Sequence, residues 1–464
     1  MSTRVHDGGV VSRRLPGVVA SWSNLATLAG DARWVSEAGR ALLVWVPIYM
    51  LSADEYSSQW RAVAAASVVA VVWLAALRSA FGAVHLTLGP AIRAAFGTIS
   101  GLIVVSALTL WMPGLQLPPS TLAAAAISVF VLTTIWEAVC QRVVAKRRVL
   151  IVGPQEAAAA VVDGLALAGR TPFVVVGMVD DAISPDEVTG APLLGPVEEL
   201  STVVAARRPD LIVLADAEGS PEALDRLLAS PSNGFKIVGM AHFFEHAFGR
   251  VPLAQLGPGW FMSILHLRQR PYTRFAKRTF DVVGASLGLV VAAPLMLVIA
   301  LLVRATGAPV IYRQTRVGAG GKPFTMYKFR TMRCDAEEEG RPIFAEERDP
   351  RVTRLGRVLR TTHLDELPQL WVVLKGDMSI VGPRPERPEF IPMLEEAVRF
   401  FNRRLLIKPG VTGWAQLRAD YASDAAGAAE KLSYDLWYLR HRNLAVDLAI
   451  CAKTFTSVLL RPGR

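Results

Sequence analysis

From Ala94 to Trp136 the chain carries no charged residue, and this stretch limits what it can fold into more than any other. A bilayer crossing takes about 20 apolar residues, so the stretch is too long for one helix. Met112-Pro113-Gly114 and Pro118-Pro119 interrupt it with residues that turn the chain or cannot continue a helix. Two spans joined by a short loop are the expected reading. Ala62 to Leu77 is another apolar run, between Arg61 and Arg78, and Ala41 to Ala53 is a fourth; both need their flanks to complete a span. Arg4, Arg13 and Arg14 precede the first span, and Asp54 and Glu55 fall in the first loop. Arg78 and Arg93 fall in the second loop, and Arg142, Lys146, Arg147 and Arg148 follow the fourth span. The excess of cations on one side predicts both ends of this region in the cytoplasm. The expected organisation is a tail over 1–33 and four transmembrane helices over 34–145. Buried core helices of a soluble protein are the weaker alternative, on length.

Composition agrees with a membrane protein: of 464 residues, 52% are hydrophobic and only 19% charged. The formal net charge of +10 is compatible with nucleic acid, acidic lipid or a phosphorylated substrate. No zinc-finger spacing, long Lys/Arg block or aromatic RNA-binding signature occurs, so no nucleic-acid partner is expected. Cys140, Cys334 and Cys451 are far apart and form no CxxC pair, and they read as structural thiols.

Beyond the basic junction the pattern changes. Arg148 to Gly153 reads as a buried strand entering a glycine turn, followed by a helix from Glu156 to Ala168. Apolar strands follow at Phe173 to Val179, Leu211 to Leu214 and Lys236 to Met240, with helical segments between them. This alternation predicts a Rossmann-like α/β domain over 146–262. Dinucleotide binding would need Gly-x-Gly-x-x-Gly, so that backbone amides can approach a pyrophosphate. Here Gly153-Pro154-Gln155-Glu156-Ala157-Ala158 keeps only the first glycine. A structural or regulatory domain is the better reading.

Val282 to Val303 is a second kind of apolar segment, 22 uncharged residues with Pro294 inside. Lys277 and Arg278 precede it and Arg304 and Arg313 follow, so a single crossing would carry one basic flank to the outer face. A re-entrant helix over 279–303, broken at Pro294 and returning to the cytoplasmic side, satisfies both flanks.

Cations, turn residues and acids crowd the next hundred residues. Arg351, Arg354, Arg357 and Arg360 recur every three positions and would make one helix face strongly positive. That face could hold substrate phosphates or anionic lipid headgroups. The adjacent acids Asp365-Glu366 lie between this segment and a Pro-Gln turn. A carboxylate can attack phosphorus to form an acyl phosphate. A second can hold Mg²⁺, which usually takes one or two protein carboxylates plus substrate phosphates. An Asp-Glu pair alone is commonplace on a helix surface.

The order of motifs resembles one family. Lys277-Arg278-x-Phe280-Asp281, Tyr327-Lys328-Phe329-Arg330-Thr331-Met332 and Leu364-Asp365-Glu366-Leu367-Pro368-Gln369 are followed by Gly382-Pro383-Arg384-Pro385 and Lys408-Pro409-Gly410-Val411-Thr412-Gly413. The segment 263–464 thus resembles the catalytic domain, mostly α-helical, of the bacterial sugar transferases, the monotopic polyprenyl-phosphate phosphoglycosyl transferases. The four helices and α/β domain in front resemble the large branch that initiates exopolysaccharide or O-antigen synthesis. The family often carries Ser-Pro at the helix break, where this chain has Ala293-Pro294. It often has Gly-Arg after the Gln of the last motif, where this chain has Leu417-Arg418.

The resemblance implies transfer of a hexose-1-phosphate from a UDP-sugar to polyprenyl phosphate, with UMP released. It implies Asp365 as nucleophile, Glu366 as its partner in placing Mg²⁺, and Lys328, Arg330, Arg360 and Arg384 as phosphate-positioning groups. The expected setting is the bacterial inner membrane, multi-pass, with the site facing the cytoplasm; whether the protein is a homodimer is left open. A membrane-anchored nucleotide-sugar dehydratase or epimerase would need an intact glycine fingerprint and a Tyr-x-x-x-Lys pair, and neither is present. A scaffold with a decayed site is disfavoured by the complete Asp365-Glu366 setting. A chain starting near Gln269 is expected to keep some activity without the middle domain.

Overall fold

The computed structural model describes residues 33–83, 89–112, 115, 117–143, 146–168, 171–181, 190–215, 223, 225–227, 234–257, 259–262, 271–333, 350–419 and 424–460. Residues 1–32 of the expected tail, the boundary at 262/263 and Cys334 lie outside them. The chain divides into two compact units, Met1–Phe81 with Arg93–Ala145, and Gly82–Ile92 with Lys146–Arg464.

The first unit is built from α1 (Arg33–Ser52), α2 (Gln59–Ala83), α3 (Pro90–Trp111) and α4 (Pro119–Val143). Pro90 and Pro119 each open a helix, where a missing N–H leaves no intrahelical bond unmade. Val44, Ile48, Val69, Trp73, Leu77, Val105 and Val129 are buried between the helices. Ile99, Ile103, Ile127 and Ile135 point outward and exposed, as an apolar surrounding requires. Four described helices are long and apolar enough to cross a membrane, within Gln59–Arg78, Pro90–Trp111, Pro119–Cys140 and Arg274–Ala305. The first helix, α1, is not among them, because Glu37 and Arg40 dilute its apolar character. Instead Arg40 is ion-paired with Glu137 of α4, and α1 packs as the fourth member of the bundle.

The second unit opens with a parallel sheet. It comprises β1 (Arg147–Val152), α5 (Gln155–Ala168), β2 (Phe173–Val179), α6 (Leu200–Arg207), β3 (Leu211–Leu214) and β4 (Lys236–Gly239). The strand order is β2-β1-β3-β4, all parallel. Alternation along β1 splits the core: Val149 and Ile151 face α5, while Leu150 and Val152 face α6. Gly153 takes φ +133°, and a Cβ there would stand 2.8 Å from that of Ala215. This glycine therefore serves strand packing, which accounts for its presence without a nucleotide. The final strand stops at Gly239, one residue short of the expected Met240, which opens helix α7 (Met240–Ala247).

The remainder begins with α8 (Pro271–Ala305), a helix of 35 residues and about 50 Å at 1.5 Å per residue. Pro294 lies inside it and the helix runs on without interruption, so the expected break at Pro294 is not seen as a gap in the helix. Val290, Val291, Leu297, Val298 and Leu301 are more than half exposed. Both ends are fastened to the same unit. Near the start, Lys277 donates to Val381 O and Asp447, Arg278 to Val373 O and Leu374 O, and Asp281 accepts from Ser379 and Ile380 N. Near the finish, Arg330 donates to Val303 O, Gly307 O and Ala308 O.

After α8 come the antiparallel hairpin β5 (Ile311–Val317) and β6 (Pro323–Phe329), then α9 (Arg354–Thr361) and α10 (Gln369–Lys375). Strands β7 (Ser379–Val381) and β8 (Gly410–Thr412) pair in parallel. The chain then forms α11 (Trp414–Arg418), α12 (Ala425–His441) and α13 (Leu444–Leu460). The sheet half and the C-terminal half of this unit are joined by buried polar contacts. Glu245 of α7 accepts from Arg440 and His441 of α12, Trp437 donates to Glu245 O, and Trp414 donates to Gly249 O. Residues 240–251 thus cover Trp414 and Trp437, two of the largest fully buried side chains.

Candidate active site

Local backbone geometry sets the acid pair. Thr353 caps α9, its Oγ1 accepting from Gly356 N at 2.9 Å. Gly356 lies so close to Thr331 O that any Cβ would collide with it, which seats α9 on the end of the β5–β6 hairpin. Helix α9 ends before His363, which adopts φ +57°, a costly conformation for a residue with a side chain. The reversal opens a 3-10 turn over Leu364–Glu366, and Pro368 leads into α10.

The two acids then meet different surroundings. Glu366 Oε1 accepts from Lys328 Nζ at 2.6 Å and from Arg384 Nη2 at 3.0 Å. Burial opposes ionisation of Glu366, but Arg384 and Lys328 outweigh it and hold the carboxyl well below its usual range. Asp365 is 6% exposed, and its carboxylate takes no hydrogen bond from the described residues. Burial pushes its pKa up, and Glu366 adds to the rise, while Lys328, Arg360 and His363 counter it. Burial lowers the pKa of Lys328, against the pull of Glu366.

Three of the four expected cations therefore converge on the acids. Lys328 comes from β6, Arg384 from the Gly382–Pro385 loop, and Arg360 from α9, where its Nε donates to Thr331 Oγ1 at 2.9 Å. The fourth, Arg330, does not join them. Strand β6 ends at Phe329, so the alternation that aims Lys328 at the acids stops there. The Arg330 guanidinium is buried and donates to the carbonyls closing α8, where it clamps the end of that helix. The expected positive face is also shorter: α9 starts at Arg354, which leaves Arg351 off the helix, while Arg354 and Arg357 are exposed. Arg418 lies 4.7 Å over the Trp414 ring.

One cation at this site was not singled out from sequence. Arg316 of β5 shares a small cavity with Lys328, Arg384, Gln369, Met326 and Pro385. Burial lowers its pKa to about 10, with Arg384 contributing, and it donates to Gln314 and Pro385 O. Its place in Arg313-x-x-Arg316, two strand residues on opposite faces, was the available signal.

The donor set is compatible with Mg²⁺. No group of three or more His, Cys, Asp or Glu side chains that could hold a metal occurs among the described residues. Two adjacent carboxylates suffice for Mg²⁺ when phosphates and water complete the octahedron. Both cations bind Glu366 through Oε1, which leaves Oε2 and the Asp365 carboxylate as the oxygens available to it.

Residues 272–461 match the bacterial sugar transferase family. An uncharacterised sugar transferase of Bacillus subtilis (strain 168) is 39% identical over 188 residues, covering 40% of this chain and 89% of that protein. The chain belongs to the bacterial sugar transferase family. A UDP-N-acetylgalactosamine-undecaprenyl-phosphate N-acetylgalactosaminephosphotransferase of Aeromonas hydrophila is 39% identical over 216 residues, 46% of this chain and 50% of the relative. The chain thus spans about half the length of that relative. A UDP-glucose:undecaprenyl-phosphate glucose-1-phosphate transferase of Xanthomonas campestris pv. campestris is 32% identical over 308 residues, 62% of each chain. That alignment is longer than the family segment, so the likeness reaches beyond the C-terminal part.

Proposed function

We propose that this protein transfers a hexose-1-phosphate from a UDP-sugar to polyprenyl phosphate, through a covalent intermediate on Asp365. The observation that carries the reading is the unequal treatment of two neighbouring carboxylates. Glu366 is neutralised by Lys328 and Arg384, whereas Asp365 is desolvated and left unbonded beside them. Environments that separate two acids in this way give them separate roles.

In the first step an Asp365 oxygen attacks the sugar-proximal phosphorus. A carboxyl–phosphate bond forms, the phosphoanhydride bond breaks, and its electron pair leaves on UMP. In the second step an oxygen of polyprenyl phosphate attacks the same phosphorus. The Asp365–phosphorus bond breaks, the carboxylate is restored, and a polyprenyl diphosphate-sugar results. Lys328, Arg360 and Arg384 stabilise charge on the transferring phosphoryl group, in a site already organised to receive it. Glu366, through Oε2, would hold Mg²⁺ together with the donor's phosphates, and the ion would screen the negative charge on the diphosphate.

Helix α8 is read as re-entering the membrane. Its two ends are held by one folded unit and its middle is apolar and exposed, which favours entry and return on the same side. The site would then sit at headgroup depth on the cytoplasmic face of the inner membrane, where the carrier phosphate lies. The product would begin an exopolysaccharide, O-antigen or capsule chain. The test is UMP release by membrane-embedded protein over a panel of UDP-sugars, with polyprenyl phosphate and Mg²⁺. A mass increase of one phosphosugar on Asp365 without acceptor, lost when acceptor is added, is the expected result. UMP formed only when both substrates are present, with no adduct, would favour direct transfer and demote Asp365 to a base or metal ligand.

A further inference from the structure

Arg384 reaches Glu366 from a side chain that is half exposed, so its aim depends on how firmly its backbone is held. The loop around it is pinned on each side. Gly382 N donates to Thr412 O at 2.9 Å, Gly410 N to Pro383 O at 2.8 Å, and Val317 N to Glu386 O at 3.0 Å. Pro383 and Pro385 fix φ on either side of the arginine. The carbonyl of Arg384 itself is held by Arg404, whose Nη2 donates to it at 2.9 Å.

Arg404 is a buried cation, 6% exposed, in the 3-10 segment Phe401–Leu406. Besides Arg384 O, it contacts Glu386 Oε1 at 3.2 Å and Asp435 Oδ2 of α12 at 2.9 Å. Its guanidinium lies 5.0 Å from the Phe401 ring. Burial would lower its pKa, but Asp435 and Glu386 raise it, so the group stays charged. A planar fork can reach three oxygens on two separate elements at once, which the point charge of a lysine cannot.

We infer that Arg404 is a positioning residue for Arg384: it anchors the Gly382–Glu386 loop to α12 so that Arg384 is aimed at Glu366 beside Asp365. Asp435 and Glu386 are the counter-charges that keep Arg404 in place. The inference rests on the phosphoglycosyl-transfer reading above, because the contacts it orients are those of the proposed site.

The test is a double-mutant cycle on the full chain in membranes, following UMP release from whichever UDP-sugar the wild type uses. Arg404→Lys should lower kcat/KM about 10- to 100-fold, as expected for a shift of about 1 Å in a positioning contact. Introduced into Arg384→Ala protein, the same change should cost less than about twofold, because the effect passes through a side chain already removed. Glu386→Gln, which keeps an acceptor but removes the charge from one of the three contacts, should show the same dependence with a smaller loss and guards against misfolding of the lysine variant. Equal losses with and without Arg384, or wild-type kcat/KM in Arg404→Lys, would overturn the inference while leaving the transferase reading intact. A wild type that releases UMP from no UDP-sugar would overturn both.

Discussion

Two glutamates, Glu245 and Glu366, are each held by two basic side chains, yet they differ in what stands beside them. Glu245 accepts from Trp260 Nε1 at 2.5 Å and Arg440 at 2.8 Å on Oε1, and meets His441 Nε2 at 2.8 Å on Oε2, so both oxygens are occupied. Glu366 takes both of its cations on Oε1 and is followed in space by Asp365, an acid that those cations leave unbonded. Burial opposes ionisation in each glutamate, and partners outweigh it in each. A depressed carboxyl pKa therefore marks a satisfied buried acid in both places and separates nothing. What separates them is Asp365 beside Glu366, a buried acid whose carboxylate takes no hydrogen bond from the described residues. One cluster fastens the parallel-sheet half to α12, and the other leaves a buried carboxylate beside two cations.

The sharpest way to break this contrast is Asp365→Asn. Shape is kept and nucleophilicity is lost, so UMP release should fall by at least about 10⁴-fold, the scale for losing a covalent group that works as part of a unit. A fall of less than about tenfold, measured on folded protein, would place Asp365 with the structural acids. Next in size is Lys328→Met. It removes one of the cations on Glu366 and one that counters the raised pKa of Asp365. Activity should fall about 10²-fold, as for loss of one preorganised electrostatic donor. The acid limb of kcat/KM should also move to higher pH, because Asp365 then needs a higher pH to ionise.

Glu245→Gln tests the other side of the comparison. It removes a charge that satisfies Arg440, His441 and Trp260 but touches none of the acid pair's partners. Unfolding free energy should drop by about 2–3 kcal/mol, the range for hydrogen bonds to a buried charge. The kcat of the remaining folded protein should stay within about twofold, since surviving molecules keep the site intact. A loss of kcat without a loss of stability would show that the sheet half reaches the chemistry directly. The same contacts revise the expectation for a chain starting near Gln269. Without residues 240–251, Trp414 and Trp437 would be uncovered and Arg440 and His441 would lose their contacts to Glu245, so such a chain should fold poorly.

These clusters also show what was legible in the sequence. Charge-free runs revealed α2, α3 and α4, because water-averse length is a local property. Alternating strands and helices likewise gave the parallel sheet. Lys328, Arg384 and the acids lay in motifs, and Arg360 in the three-residue arginine spacing just before the acids. The donation of Arg330 to the carbonyls closing α8 was not legible, because the motif that contains it says nothing of which side chains face the acids and which face the helix end. Arg351 was misread because the three-residue spacing continues past Thr353, where the cap starts the helix. Glu245 and Arg404 were missed for a different reason. The partners of Glu245 on α12 lie almost two hundred residues away, and Arg404 acts through a carbonyl, which has no side-chain signature.

The smallest expected effect separates the two acids along the pH axis. Glu245 has a folded pKa below its usual value, so its contribution to stability is present above the unfolded value of about 4.3 and is lost as pH falls through the lowered folded value. Asp365 has a folded pKa above its usual value, so its carboxylate is protonated at a higher pH than an ordinary aspartate. Activity should therefore decline on acidification before the Glu245 contribution does. Asp435, pushed up to about 6 by burial, titrates in the same range and alters stability with the opposite sign, but it is common to wild type and Glu245→Gln and cancels in their difference. The difference in Tm between these two proteins should hold steady above about pH 5 and shrink by a few degrees below about pH 4. The acid limb of kcat/KM should be the same in both. If that limb moves with Glu245→Gln, or if the Tm difference is already gone where activity starts to fall, the two glutamate clusters are one coupled system and the contrast between them fails.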